Sequence, residues 1–469
     1  MKFYLIGIKG SGMASLAHIL LDEGYEVRGS DTIKYINAQK ALLERKVIID
    51  SLSSEEYLNA DIIIIGHFFF NKELINKLDK YSKIYFEYHD FLSNYLDQSK
   101  LISICGSHSK TTLVKLFSIS NEYNSFLIGE GVGKKREDDL FFFLESCEYQ
   151  NHFLKYKPRE VIITNIDYDH VDYFKNENEY IKAFQNFIEN SEKVYCLFDD
   201  ANKVKHKNMI TYGLNKNANY HIEIKEELED EYLLSFYKET QELMTFNYAR
   251  KPNHFLELIA SVLSFYNEHN YDLNIILKNI SNFTLPSQRF NVEEYRDNII
   301  INDYCHHPSQ IKYNLEQIDF YYKGIKKIAI FKPDRTSRLV YFKDRFIKEL
   351  EKYDLSFVLD LANTEEIGIH SSKELCTSKI KYIKSIFELK KYLFENEKYA
   401  FSFMSSKNLN DEIKSTKFII DEIKMWFNWI FQIKIYNKHI RGSNYEQIID
   451  DRLLWINYGK NIFWSKRAR

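Results

Sequence analysis

The chain has 469 residues and a net charge of −3, and this length predicts about three domains. The lack of a basic excess argues against a nucleic-acid partner, and no apolar run reaches the ~18 to 20 residues of a membrane span. The five cysteines show neither metal-site nor disulfide spacing, and the N-terminus lacks the apolar run of a signal peptide, so we expect a cytoplasmic protein.

The first predicted unit is a small doubly wound domain over residues 1–97. A strand over 2–6 is followed by the glycine turn GIKGSG, a helix over 14–21 and a strand over 26–30. A glycine turn after a first strand lets backbone N–H groups approach phosphate, and Asp31 follows the second strand, where a carboxylate can meet a ribose hydroxyl. A dinucleotide, a nucleotide sugar and tight packing alone all fit this pattern.

The second predicted domain, residues 98–284, opens with a phosphate-binding loop. An apolar strand over 101–105 breaks into the turn GSHS, followed by Lys110 and by apolar residues at helical spacing. In this layout backbone N–H groups surround the phosphates, the lysine neutralises them, and a threonine hydroxyl, here Thr111, reaches a magnesium ion. Ser109 stands where glycine is usual before the lysine, at a turn whose backbone angle glycine adopts freely.

Two further strands of this domain end in polar residues. An apolar run ends at Glu145, and a strand over 161–164 leads into NIDYDH, which contains Asn165 and His170. Because ligands of open α/β sheets bind at the carboxyl ends of strands, we expect these groups to share one rim with Lys110. Oxygen ligands with a histidine suit Mg²⁺ or Mn²⁺ better than zinc, so the rim predicts a metal–nucleotide site. A polar loop with a chance glutamate is the alternative.

Alternating strands and helices also predict a parallel sheet for the third domain, residues 285–469. Its polar segments are SQRF with Arg289, NDYCHHP after a strand over 298–302, and KPDRTSR after the next strand. His306 and His307 are candidate metal ligands. Adjacent residues point in different directions, however, so contact with substrate or phosphate is the favoured interpretation.

Two segments of the chain carry no predicted chemistry. A charged, alternating stretch over 220–248 predicts hairpins and precedes a predicted helix over 253–266. The aromatic and basic tail, 418–469, holds every tryptophan in the chain and predicts a packed C-terminal helix with a loose end.

Taken together, these motifs resemble those of the Mur ligases, ATP-dependent enzymes of peptidoglycan synthesis. The resemblance covers residues 1–410 in a single order, and within the family it is greatest to the ligases that join L-alanine to UDP-N-acetylmuramate. It implies an α/β fold of three domains: a Rossmann-like UDP-sugar domain, a central P-loop ATPase-like parallel sheet, and a C-terminal Rossmann-like domain. The motifs that carry it are GIKGSGM, GSD, EYHDFL, GSHSKTT, FLIGEGVGK, LESCEYQNHFL, TNIDYDHVDYF, SQRF, NDYCHHP and KPDRTSR.

The resemblance implies a role for each group of site residues. The residues expected at the UDP-sugar are Gly10, Ser11, Gly12, Ser30 and Asp31. Those expected at ATP are Gly106, Ser107, His108, Ser109, Lys110, Thr111, Thr112, Asn165, Arg289 and Asp303. Those expected around the incoming amino acid are Tyr304, His306, Arg335 and Arg338. The expected metal ligands are Thr111, Glu145 and His170, and the expected catalytic residues are Lys110, Glu145 and His170.

The implied reaction activates a carboxylate of UDP-N-acetylmuramate as an acyl phosphate, which the amine of L-alanine then attacks. The implied cofactors are ATP and Mg²⁺ or Mn²⁺, the partners are the two small-molecule substrates, and the expected state is a monomer or homodimer. Several residues depart from the family pattern near the ligands, including Ser109, Asn253, Asp334 and the segment 404–408. They leave two alternatives: a ligase for another amino acid or a recycled peptide, and a non-catalytic protein that binds a UDP-sugar or nucleotide.

Overall fold

The structure is a computed structural model, and its described residues form three sheets that follow one another along the chain. Side chains are described as far as residue 425, and the backbone over 1–36, 38–286, 289–362, 370–394 and 397–440. The predicted α/β class with three domains is confirmed. None of the helices in these ranges is long and apolar enough to cross a membrane.

The first sheet is built from residues 2–87. Its elements are β1 (Lys2–Ile6), α1 (Ser11–Asp22), β2 (Glu26–Asp31), α2 (Ala38–Glu44), β3 (Ile48–Ser51), β4 (Ile62–Ile65), α3 (Lys72–Lys80), β5 (Ile84–Glu87) and, after it, α4 (Tyr88–Tyr95). The five strands are parallel in the order β3-β2-β1-β4-β5. The chain passes from β1 to β2 and β3 on one side and then to β4 and β5 on the other, and ligands of such sheets bind at the carboxyl ends of the strands where the order reverses, here at β1.

The second sheet is built from residues 101–249, and two helices follow it. Its strands are β6 (Leu101–Cys105), β7 (Asn124–Ile128), β8 (Val132–Lys134), β9 (Phe141–Glu145), β10 (Glu160–Ile163), β11 (Lys193–Leu197), β12 (Met209–Gly213), β13 (Tyr220–Glu227), β14 (Glu231–Lys238) and β15 (Gln241–Ala249). Its helices are α5 (Lys110–Ser120), α6 (Glu177–Ile188), α7 (Asn253–Glu268) and α8 (Leu273–Ile280). The strand order is β15-β14-β13-β12-β11-β10-β6-β9-β7-β8.

The central strands of the second sheet are parallel and buried. Strands β9, β6 and β10 are neighbours, and each pair is parallel. Every residue of β6 is buried, as expected for a parallel strand covered on both faces. The predicted hairpins are strands β13 to β15, which pair antiparallel at one edge. The carboxyl ends of three adjacent central strands therefore form one rim, as the sequence predicts.

The third sheet is built from residues 291–404, and a long helix follows it. Its strands are β16 (Asn291–Tyr295), β17 (Asn298–Asp303), β18 (Lys326–Phe331), β19 (Leu355–Val358), β20 (Ile380–Tyr382) and β21 (Tyr399–Met404). The helices are α9 (Pro308–Tyr321), α10 (Thr336–Tyr341), α11 (Lys343–Leu350) and α12 (Asn410–Ile440). The order is β16-β17-β21-β18-β19-β20, with only β16 antiparallel to its neighbour among these strands. Helix α12 is the predicted C-terminal helix, and residues 441–469 of the tail lie outside the described part.

Helix α1 joins the first sheet to the second. It packs against β7 and β8 as well as against its own sheet. The Ser15 hydroxyl donates to the carbonyl of Ile128 at 2.6 Å, and a Cβ on Gly133 would lie only 2.2 Å from the Ser15 carbonyl. The helix that begins at the glycine turn is thereby fixed against the sheet that carries Lys110.

Candidate active site

The loop between β6 and α5 folds around the head of Lys110. The Lys110 ammonium donates to the carbonyl of Gly106 and, at 2.8 Å, to the carboxylate of Glu148. Ser109 has a φ of +64° directly before the helix. This left-handed conformation costs a residue with a side chain about 1 kcal/mol or more. The structure therefore shows why glycine is usual at this position, and the serine adopts the same turn.

The rest of the loop is held from the β10 side. Asn165 accepts a hydrogen bond from the His108 N–H at 2.9 Å and donates to the His108 carbonyl at 3.2 Å. The Ser107 hydroxyl lies 2.8 Å from the Tyr180 hydroxyl and accepts from the Asp167 N–H at 2.8 Å. These contacts fix the backbone whose N–H groups are predicted to face phosphates.

Two of the predicted metal ligands touch each other. The Thr111 hydroxyl donates to Glu145 Oε1 at 2.9 Å, and the Gly129 N–H donates to Glu145 Oε2 at 2.7 Å. A Cβ on Gly129 would lie 2.9 Å from the same carboxylate, so a side chain there would push the glutamate away. Hydroxyl and carboxylate oxygens are ligands that Mg²⁺ accepts.

His170, the third predicted ligand, contacts Glu148 through only one of its two ring nitrogens. Its Nε2 lies 3.5 Å from Glu148 Oε1, whereas its Nδ1 is buried and has no hydrogen-bond partner among the described residues. The ring packs beside Tyr149, with centroids 4.7 Å apart. A ligating histidine usually gives its other N–H to a carboxylate, so this arrangement fits a metal ion on Nδ1. Thr111, Glu145 and His170 together suit Mg²⁺ or Mn²⁺.

Glu148 occupies the centre of the site, although it is not among the predicted residues. Its side chain is fully buried between Lys110 and His170, and the Tyr180 hydroxyl donates to it at 3.2 Å. Burial alone would raise the pKa of Glu148, but Lys110 and His170 lower the pKa to about 2. The residue is therefore a buried, charged carboxylate. In the sequence, the only indication of a role for Glu148 is its position three residues after Glu145, and this spacing does not reveal its partners.

Two arginines of the third domain bind carboxylates that follow β10. Arg338 donates to both oxygens of Asp169, at 2.7 and 3.2 Å, and both side chains are buried. Arg335 forms an ion pair with Asp172 and donates to the Tyr149 hydroxyl at 3.3 Å. These contacts bring the third domain onto the rim. The predicted contact of both arginines with an amino acid stays a prediction.

The other two residues predicted for the amino acid lie close to each other. The rings of Tyr304 and His306 are 5.1 Å apart and meet edge to face. Burial, reinforced by the Arg338 charge, lowers the pKa of His306 well below its usual value, so the imidazole is neutral. The neighbouring His307 points elsewhere, toward Asp167 at 3.4 Å. The prediction that the adjacent histidines diverge is thus confirmed.

A cluster of His108, Asp167 and His307 connects the phosphate loop to the third domain. One ligand atom from each lies within 4.8 Å of the others. The Gln310 carbonyl oxygen accepts from two backbone N–H groups, so its NH₂ group donates to His108 Nδ1. His108 must then carry its proton on Nε2, 3.2 Å from Asp167. With that proton in place, the cluster is a hydrogen-bond network between domains and a poor metal site.

A cavity lies between the phosphate loop and the third domain. Asp303 is buried at its wall, where it accepts hydrogen bonds from the Phe290 N–H at 3.0 Å and from Asn314 at 2.7 Å. Arg289 donates to the Tyr304 carbonyl at 2.9 Å and stacks on the Tyr304 ring. The cavity is lined by His108, Ser109, Thr112, His254, Phe255, Leu258, Leu285, Arg289, Phe290, Asp303, Tyr304, Gln310, Tyr313 and Gln317. Predicted ATP residues from two domains therefore share one cavity.

The start of α7 presents His254 to this cavity. The His254 ring lies over Tyr313 of α9, with centroids 5.1 Å apart, and its Nδ1 is buried without a hydrogen-bond partner in the described part of the chain. Burial lowers the pKa of His254 to about 4. Asn253, which is one of the departures from the family pattern, is exposed. Of these two residues, it is His254 that reaches the cavity wall.

The predicted UDP-sugar turn lies at the start of α1. Gly10 precedes the helix, and Ser11 is its first residue. A Cβ on Gly12 would lie 2.5 Å from the hydroxyl of Tyr88, the first residue of α4, so only glycine permits this approach. The helix begins directly after the glycine turn that follows β1, and a helix N-terminus favours phosphate through its unpaired backbone N–H groups.

The end of β2 is tied to the same turn. The Ser30 carbonyl accepts from the Gly7 N–H at 2.8 Å, and the buried Asp31 carboxylate accepts from the N–H groups of Lys9 and Thr32, both at 2.7 Å. The buried Lys9 ammonium donates to the Thr32 carbonyl at 2.7 Å. Asp31 therefore shapes the turn, and its contact with a ligand stays a prediction. Lys9, which is not among the predicted residues, holds the following loop.

Two family models match adjacent parts of the chain. One is described as the Mur ligase family catalytic domain and matches residues 2–100, and the other as the Mur ligase middle domain and matches residues 104–258. The chain belongs to the Mur ligase family. Members of this family are ATP-dependent ligases, which is the class that the Lys110 loop and its rim suit.

Solved structures of Mur ligases share the fold over most of the chain. UDP-N-acetylmuramate-alanine ligase from Thermotoga maritima matches with a TM-score of 0.72 at 20% identity, over 91% of this chain and 99% of that one. A murein peptide ligase from Psychrobacter arcticus has a TM-score of 0.63 at 17% identity, over 90% and 98%. The MurF ligase from Thermotoga maritima, in complex with ADP, has a TM-score of 0.56 at 16% identity, over 78% and 91%.

Two departures of this Mur ligase from the family pattern meet each other. Asp334, in the loop after β18, accepts from Arg338 at 3.4 Å. Its other oxygen lies 4.0 Å from the ammonium of Lys407, which belongs to the unusual segment 404–408. The two changes thus place an ion pair beside the residues predicted for the amino acid.

Two further predicted motif positions, 287 and 288 of SQRF, lie outside the described residues.

Proposed function

We propose that this Mur ligase joins L-alanine to UDP-N-acetylmuramate, with hydrolysis of ATP to ADP and phosphate, in the cytoplasm. The observation that carries the proposal is the arrangement of the predicted residues at one rim. Lys110 and His170 both contact Glu148, and the adjacent Thr111 contacts Glu145. The similarity to an alanine ligase over 91% of this chain and 99% of that one supports the choice of substrates. We assign the UDP-sugar to residues 1–97, ATP to 98–284, and ribose and amino-acid contacts to 285–469.

The reaction needs an activated carboxylate, because joining an acid to an amine in water is uphill. The γ-phosphoryl group of ATP passes to a carboxylate oxygen, which gives an acyl phosphate and ADP. The amine nitrogen of L-alanine then attacks the acyl carbon, loses a proton, and inorganic phosphate leaves. The Lys110 ammonium and the N–H groups at the start of α5 stabilise the charge that gathers on the phosphoryl oxygens.

Thr111, Glu145 and His170 would hold the metal ion through a hydroxyl, a carboxylate and Nδ1, which has no hydrogen-bond partner among the described residues. A bound Mg²⁺ or Mn²⁺ would neutralise charge on the phosphate and on the substrate carboxylate. The MurF structure in complex with ADP supports a nucleotide in this fold.

The remaining contacts place the substrates and exclude water. The crevice at the end of β1 receives the UDP-sugar, and the cavity beside Asp303 receives the ATP nucleoside. The ion pair of Arg338 with Asp169 holds the third domain against the rim. Acyl phosphates hydrolyse readily, so a closed arrangement of the three domains protects the activated acid.

The test is phosphate release with UDP-N-acetylmuramate, ATP, Mg²⁺ and each amino acid in turn. We expect turnover with L-alanine to exceed turnover with the other amino acids. A preference for another amino acid, or for a preformed peptide, would favour the related ligase that the Asp334–Lys407 pair suggests. Tight binding of the UDP-sugar without phosphate release would instead indicate a non-catalytic binding protein.

A further inference from the structure

We propose that Glu148 is a positioning residue with two effects: it holds the ammonium of Lys110 in place, and it determines which ring nitrogen of His170 carries the proton. The inference rests on the proposed ATP and metal roles of these two residues, and it adds the group that couples them. Glu148 offers one oxygen to each: Oε2 accepts from Lys110 at 2.8 Å, and Oε1 lies 3.5 Å from His170 Nε2.

The Lys110 contact keeps the ammonium inside the loop. Its Nζ is held between the Gly106 carbonyl and Glu148, and only 12% of the Lys110 side chain is exposed. A lysine with four rotatable bonds loses much freedom when it is fixed in this way. Glu148 therefore restricts the ammonium to the loop at the carboxyl end of β6 before ATP binds.

The His170 contact decides which ring nitrogen is free. A carboxylate accepts hydrogen bonds and donates none, so the proton of a neutral His170 is drawn to Nε2, beside Glu148. The lone pair is then on Nδ1, the buried nitrogen without a partner among the described residues. This is the carboxylate–histidine–metal relation in which the outer carboxylate orients the ligand.

The carboxylate is itself held in place. The Tyr180 hydroxyl of α6 donates to Glu148 Oε1 at 3.2 Å, and the Ser107 hydroxyl lies 2.8 Å from that of Tyr180. Glu148 therefore contacts groups from the phosphate loop, from α6 and from the segment after β10. A movement of this one side chain would disturb both proposed ligand groups together.

An amide cannot replace this carboxylate. In Glu148→Gln one oxygen becomes an NH₂ group, and either orientation sets a donor against Lys110 or against the proton of His170. Glu148→Asp keeps the charge on a shorter side chain. We therefore expect the amide variant to be the more damaging of the two, although its shape is the closer to glutamate.

The experiment measures Mn²⁺ binding to the protein–ATP complex by electron paramagnetic resonance, together with the melting temperature of each variant. Changing the outer partner of a metal ligand typically lowers metal affinity about 10- to 100-fold. We expect a loss of that size in Glu148→Gln and a smaller loss in Glu148→Asp. Binding is read directly, so the result does not depend on whether L-alanine is the amino acid.

Glu160 provides the matched control. It is a buried glutamate at the other end of β10, and it contacts His269 Nε2 at 3.1 Å. Glu160→Gln removes the same kind of buried pair outside the site and should leave Mn²⁺ affinity unchanged. An affinity of Glu148→Gln within twofold of the wild type would overturn the inference. If Glu148→Gln does not melt cooperatively, a Mn²⁺ affinity of Glu148→Asp equal to that of the wild type would overturn the inference instead. Wild-type protein that binds neither ATP nor Mn²⁺ would overturn the proposed function as well.

Discussion

Replacing Lys110 by methionine should destabilise the protein as well as stop catalysis, because it leaves the buried Glu148 carboxylate without its lysine partner. The Glu148 side chain is 0% exposed and that of Lys110 12%. Removing one partner of a buried ion pair costs about 3 to 5 kcal/mol. Burial raises the pKa of Glu148, but Lys110 and His170 together hold it below its usual value, so these partners stabilise the charged carboxylate.

The loss of stability in Lys110→Met should depend on pH in a defined direction. In the wild type the pKa of Glu148 is lowered, so its stabilising effect is present above about pH 4.5 and is lost as the pH falls toward 2. In Lys110→Met, burial should raise the pKa of Glu148 above 4.5, so the variant loses stability as the pH rises through that value. The difference between the two proteins should therefore widen as the pH rises from about 2 through 4.5.

Scanning calorimetry at several pH values measures this difference. The double variant Lys110→Met/Glu148→Gln removes both charges and should recover part of the lost stability, which a double-mutant cycle quantifies. Phosphate release should be abolished in Lys110→Met, while UDP-sugar binding to the first domain persists. Equal melting temperatures of wild type and Lys110→Met at every pH would refute the reasoning, and so would a double variant that is less stable than the single one.

Two further predictions concern the turn and the domain contact. Ser109→Gly should raise the melting temperature by about 1 to 3 °C, because φ of +64° strains a residue with a side chain; a lower melting temperature would contradict this. Arg338→Met should loosen the third domain, because it leaves Asp169 buried without its bidentate partner, and small-angle X-ray scattering should show a larger radius of gyration. Arg335→Met should have a smaller effect, because its partner Asp172 is 21% exposed, and equal scattering from all three proteins would contradict the prediction.

The strands that carry the site were predictable because parallel strands buried on both faces read as continuous apolar runs. The predicted strands over 2–6 and 101–105 match the structure, and the prediction over 161–164 is shifted by one residue from Glu160–Ile163. The shared rim of their polar ends also follows from a general rule, since ligands of open α/β sheets bind at the carboxyl ends of the strands. The predicted strand over 26–30 is likewise one residue shorter than β2, which ends at Asp31.

The partners of charged side chains were not predictable in this way. The structure pairs Arg338 with Asp169, which lies 169 residues away in the chain, and the predicted contact of Arg338 with an amino acid stays a prediction. The start of α7 presents His254 and not its neighbour Asn253 to the cavity, because one residue turns a helical side chain by about 100°. Such outcomes depend on which side chain reaches which neighbour across an interface.

By itself, the sequence determined the three α/β domains, the phosphate loop and the rim, because strand and turn signals are local and the polar residues follow them directly. Only the tertiary structure decided that Lys110 would share a buried carboxylate with His170, since the two lie 60 positions apart and meet through Glu148. A buried charge needs a partner at close range, and distance along the chain does not say which one folding will supply.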